Sequence, residues 1–308
     1  MKKNYLLMIA LITVTFFGAG CSKEEEGSNE LKVTTNVTKS LTKSMVSEFS
    51  GSTIGVFVAG ISENSTAIVS TGANAVAVTP SIPITADATV YAWYPATGGE
   101  ITNPTSTSTK DITVVNADDF AATDQTDYLY ATPATVTTTN RTAELTFKHA
   151  LSKVIFKVKK VDDFSGTGDL SAIALSSTET PFLSGSGTMT IADGSISGLT
   201  ATDNLTYTGS YTLTTTAQEA VALVAPTTLA ANTSATSTIT ITLTIDDDDS
   251  YSTTLPVLET SEWAAGNTYT YNITVKNGEL EIGNVSITPW GVNNETSLDV
   301  EPVTLIDD

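Results

Sequence analysis

The sequence predicts an all-β protein built as two β-sandwich domains in series. Short runs of alternating apolar residues fill the chain after its N-terminal stretch. Gly, Pro, Asn and Asp break these runs at short intervals, and no long amphipathic helical pattern follows the N-terminus. Threonine, a strand former, is abundant throughout. With 308 residues, 40% hydrophobic and 16% charged, the chain has length for two domains and apolar material for their cores.

Charge and residue inventory exclude several functions. Thirty-four acidic residues against 14 basic ones give a net charge of −20, which repels nucleic acid. One Cys and one His leave no internal disulfide and no Cys/His metal or nucleophile constellation. No Gly-rich loop follows a strand and opens a helix, so no nucleotide site is expected. The run Asp246–Asp249 does not match a Ca²⁺-loop spacing and reads as an acidic, solvated turn. The expectation is therefore no enzyme, no metal and no cofactor.

The N-terminus reads as an export signal. Met1–Tyr5 is basic, and the apolar run Leu6–Phe17 has the length of a signal core rather than a membrane span. Gly18-Ala-Gly-Cys21 resembles a bacterial lipobox, with Gly18 where Leu is usual. It makes Cys21 the expected lipidation site and the first residue of the mature chain, anchored in the outer membrane. Ser22–Asn29 is charged and reads as a tether; it is also similar to the acidic export signal of surface lipoproteins in Bacteroidetes.

Leu31, Val33, Val37 and Leu41 share one parity and form a candidate first strand. Ile54–Val58 is a second. Ala88–Tyr94 is a strand stopped by Pro95, with Val90, Ala92 and Tyr94 on one face and Tyr91 and Trp93 on the other. Asp124–Ala131 places its acids in a loop or turn. Thr132–Thr142 is Thr-rich and is taken as the domain boundary.

Leu145–Lys160 is the best strand signal. Leu145, Phe147, His149 and Leu151 lie on odd positions, whereas Val154, Phe156 and Val158 lie on even ones. A period of two cannot absorb that slip, so either one strand bends around Ala150–Lys153 or two strands meet at a turn. The bent strand fits the pattern better. His149, on an apolar face, reads as a core histidine. Beyond it, Leu170–Leu175, Gly185–Ile191 with Ile196–Leu199 about the Asp193-Gly194 turn, and Val221–Pro226 are further strands. Thr238–Ile245 alternates without fault. Trp263–Val275 carries Tyr269, Tyr271, Ile273 and Val275 on one face, and Leu280–Trp290 follows. In the tail, Leu298 and Val300, then Val303 and Leu305, alternate around Pro302. Such a segment is an edge in its own sheet or a strand lent to another subunit.

Phe147, His149, Ala150, Leu151, Lys153 and Val154, in that order, resemble the central signature of the fimbrillins, the lipoprotein pilins of Bacteroidales. Phe49 with Ile54–Phe57, the strand ending Tyr94-Pro95, Trp263…Gly266…Tyr269…Tyr271 and the last strand ending in Trp290 extend the resemblance over nearly the whole mature chain. It implies transthyretin-like sandwiches and a pilin polymerised by protease-triggered strand exchange with other subunits. The processing site would fall at Lys39 or Lys43, which stand where the family usually has Arg. The donor strand would be Leu298, Val300, Val303 and Leu305 of another copy. The implied organisation is a signal peptide over 1–20 and a tether with a removable first strand over 21–47. An N-terminal sandwich over 48–142 and a C-terminal sandwich over 143–308, with its tail at 291–308, complete it. The alternative is a monomeric, lipid-anchored surface protein that binds a host glycan or protein.

Overall fold

The computed structural model describes residues 29–37, 52–61, 66–71, 76–97, 101, 105, 107–177, 182–228, 239–246, 249–256 and 262–290. The described residues form strands and loops and contain no helix. In chain order the first strands are β1 (Lys32–Val37), β2 (Ser52–Ala59), β3 (Thr66–Thr71), β4 (Val76–Thr79), β5 (Ala88–Tyr94) and β6 (Thr109–Val114). Next come β7 (Leu129–Ala131), β8 (Ala134–Val136), β9 (Thr142–His149), β10 (Ser152–Lys160), β11 (Asp169–Ser177) and β12 (Phe182–Thr190). Then follow β13 (Ile196–Ser197), β14 (Thr200–Thr202), β15 (Asn204–Thr212), β16 (Gln218–Val224) and β17 (Thr227–Thr228). The last are β18 (Ile239–Ile245), β19 (Asp249–Thr254), β20 (Glu262–Trp263), β21 (Asn267–Lys276) and β22 (Glu279–Pro289).

The first body is an eight-stranded sheet in the order β1-β9-β7-β5-β2-β3-β4, with β8 also on β5. Its inner face buries Ile54, Val56, Val58, Val90, Ala92, Leu129, Leu145 and Phe147 in one cluster. In β9 the alternation is complete: Ala143, Leu145, Phe147 and His149 are buried and the residues between them exposed. The boundary expected at Thr132–Thr142 falls inside this sheet, because β8 and β9 both belong to it.

The chain changes sheet at Ala150–Leu151. The central stretch is two strands in two sheets, not one bent strand. The slip in parity has a physical cause. Leu145 and Phe147 serve the first core, Ala150 and Leu151 a second cluster, and Val154, Phe156 and Val158 a third. Ser152 fixes the restart by donating its hydroxyl to the carbonyls of Trp263 (2.9 Å) and Ala264 (2.8 Å).

The second body is a sandwich of two four-stranded sheets, β16-β10-β21-β22 and β15-β11-β18-β19. Phe156, Tyr269, Tyr271, Ile273 and Val275 of one sheet pack with Ile173, Leu175, Tyr207, Ile241, Leu243 and Ile245 of the other. Trp263 is fully buried and donates Nε1–H to the Tyr271 hydroxyl at 3.0 Å. Of the acidic run, Asp246 anchors a neighbouring loop: its Oδ1 accepts the amides of Gly168 and Asp169, each at 2.9 Å.

A strap joins the bodies. β6, from the first half of the chain, pairs antiparallel with β12 from the second. Ile112, Val114 and Met189 of this pair, with Ile191 just beyond it, pack between Phe57 and Trp93 of the first body and Ile155, Val221 and Leu223 of the second. The Asp193-Gly194 turn supports the contact. Gly194 has φ 75°, and a Cβ there would meet the Tyr130 ring at 2.2 Å, so only glycine fits on both counts.

Candidate assembly site

β1 sits at one end of the first sheet and pairs parallel with β9, from Lys32↔Thr142 to Val37↔Phe147. The residues just before and at its start also bond to the segment beyond β4. Leu31 donates its amide to Ile82 O at 2.8 Å, and Ile84 donates its amide to Asn29 O at 2.7 Å. Lys32 N reaches Arg141 O at 2.9 Å. The first strand and the residues before it thus stand between β9 and the segment 82–84. Leu31 and Val33 are 4% and 6% exposed and join the cluster of Ile82, Ile84, Ala143, Leu145 and Phe147. Burying two such side chains contributes about 1.5–3 kcal/mol each. Without β1, that apolar floor and the edge of β9 would face water.

A buried polar cluster lies at the passage between the bodies. His149 Nδ1 is 3.0 Å from both carboxylate oxygens of Asp127, and both side chains are almost fully buried. The imidazole stacks on Trp290, with centroids 3.8 Å apart and planes 3° from parallel. Trp290 also donates its amide to Gly266 O at 2.7 Å. The end of β22, from which residues 291–308 continue, is therefore pinned at the junction. Lys153, 4% exposed, adds a cation; burial lowers its pKa to about 8, against the opposing pull of Glu219 and Asp127. Gln125 bonds β16 as a strand neighbour would. Its Nε2 donates to Leu223 O (3.0 Å) and Val115 O (2.6 Å), and its Oε1 accepts Leu223 N (2.6 Å).

Of the residues marked from sequence, Cys21, Lys39, Lys43, Leu298, Val300, Val303 and Leu305 lie outside the described residues. Of the expected first strand, Leu31, Val33 and Val37 fall within the described residues and Leu41 outside them, and His149 lies in the core. Sequence reasoning missed Ile82, Ile84, Arg141, Gln125 and the partner role of Asp127. The alternation Ile82-Pro-Ile84 was the available signal for the seat; nothing comparable marked Gln125.

The family model for fimbrillin-like proteins matches residues 30–290. The chain belongs to the fimbrillin-like family. As a member it is a fimbrial or adhesin-type subunit of the cell surface, structural rather than catalytic. A provisional cell adhesion protein from Bacteroides ovatus superposes with a TM-score of 0.63 at 18% identity, over 86% of this chain and 99% of that one. Another from Bacteroides uniformis gives 0.62 at 15% identity, over 85% and 98%. At these identities the likeness is one of fold. No curated protein matches the chain.

Proposed function

We propose that this fimbrillin-like protein is a structural subunit of a surface fimbria, exported as a lipoprotein through Cys21 and polymerised by strand exchange. The observation that carries the reading is the seat of β1. A terminal strand, joined to the rest by a segment containing Lys39 and Lys43, plugs an apolar floor that another strand of alternating pattern would also fit. Cleavage near Lys39 or Lys43 frees the plug, and Leu298, Val300, Val303 and Leu305 of another copy replace it. Changing Lys39 and Lys43 together to Gln, and separately deleting residues 298–308, should each abolish ladders of surface polymer on unboiled gels. Polymers that persist in both variants overturn this route. Lys in place of Arg at the processing positions favours the second reading, a monomeric lipid-anchored adhesin; absence of polymer from the unaltered protein would select it. For the anchor, fatty-acid labelling should vanish in Cys21→Ala, and equal labelling would refute lipidation there.

A further inference from the structure

Arg141 is the only arginine in a chain of net charge −20. It stands just before β9, at the end of the seat where β1 begins, and its carbonyl holds Lys32 N. Its parity is that of Ala143, Leu145 and Phe147, the residues of β9 that face the core. Its Nε is buried without a hydrogen-bond partner, and among the described residues no carboxylate pairs with its guanidinium. The register of β1 opens at Lys32↔Thr142, which sets Leu31, one residue earlier, across from Arg141. An arginine fork matches a carboxylate with two parallel hydrogen bonds, so an unpaired one at the end of a strand seat suits an acid carried by an incoming strand.

Residues 303–308 read Val-Thr-Leu-Ile-Asp-Asp. With Leu305 across from Ala143, an antiparallel strand sets Val303 across from Leu145 and Asp307 across from Arg141. A parallel strand with the same anchor sets Asp307 across from Leu145, a carboxylate on the apolar floor, which is strongly unfavourable. Antiparallel pairing is also the more stable ladder. Resting on the strand-exchange reading, we propose that Arg141 selects the incoming strand and its direction. Residues 303–308 of a second copy of this chain enter antiparallel to β9, and Asp307 pairs with the Arg141 guanidinium.

The test uses full-length protein on cells, read as surface polymer on unboiled gels. Arg141→Glu and Asp307→Asn should each lower polymer about tenfold or more, the effect of losing a desolvated charge pair. Arg141→Lys should fall between them and the unaltered chain, since ammonium is a point charge. Arg141→Glu combined with Asp307→Arg should restore polymer, which a mere folding defect would not allow. Direction is read from cysteine pairs. Leu145→Cys with Val303→Cys should crosslink neighbouring subunits, and Leu145→Cys with Asp307→Cys should not; the reverse pattern overturns the antiparallel entry. If Asp307→Asn polymerises normally while deletion of 298–308 abolishes polymer, exchange stands and the role of Arg141 falls. If the deletion also polymerises, both fall.

Discussion

Lys153 and Gln125 show how single buried polar groups hold the junction and what they cost. Burial lowers the Lys153 pKa from 10.5 to about 8. Between those values the unfolded chain carries a proton that the folded chain has shed. Stability therefore rises with pH across about 8 to 10.5, by about 3 kcal/mol in all, and the cost of the buried charge is full below about 8. Tyr207 and Tyr271, whose pKa values burial raises, oppose this above about pH 10, where unfolded tyrosines ionise. Urea unfolding at pH 7.5, 8.5 and 9.5 should show the rise in the unaltered protein and its loss in Lys153→Met. A flat profile in both would contradict the assignment. Gln125→Leu leaves Leu223 N–H and two carbonyls unmatched and should cost about 2–5 kcal/mol by the same method; a loss under about 1 kcal/mol would place these bonds outside the folding energetics. His149 was legible as a core residue from its place on an apolar face. Its Asp127 partner was not, because an acid in a loop run has no period to mark it as buried. Gln125 was hidden for the same reason.

At the scale of strands, alternation was a good guide where one face is buried. β18 and β21 follow the expected parity, and β5 packs on both faces as its aromatic pattern implied. The slip after Leu151 was visible too, but not its resolution. A local pattern records that a strand changes face, while only partners far along the chain, here Trp263 and Ala264, determine that it changes sheet. The parallel pairing of β1 with β9 was equally invisible, since alternation carries no direction. β1 pairs with β9 alone in its sheet, and Leu31 and Val33 are buried at its start. Leu31→Ala with Val33→Ala should weaken its hold by about 3–5 kcal/mol. Hydrogen exchange should then accelerate at β1 amides and hardly change in β2 and β5; uniform acceleration would mean that β1 is an integral part of the first core.

Across the whole molecule, the strap of β6 on β12 and the cluster around it make the joint a third core rather than a linker. Composition barely changes from one body to the next, so the sequence held no mark of where the first sheet ends. The pairing of β6 with β12 spans too much chain for any local pattern to show. Because the joint shares Phe57 and Trp93 with one body and Ile155, Val221 and Leu223 with the other, the bodies should unfold together. Calorimetry should give one transition, and Met189→Ala should lower it as a whole by about 2–5 kcal/mol of stability. Two separated transitions, with the substitution moving one, would show that the joint does not couple them.

If β1 is a plug removed before assembly, the N-terminal sequence of subunits dissociated from surface polymer will show it. Chains that begin just after Lys39 or Lys43 and lack Lys32–Val37 are expected. Polymeric subunits that still begin at Cys21 and retain β1 would contradict it.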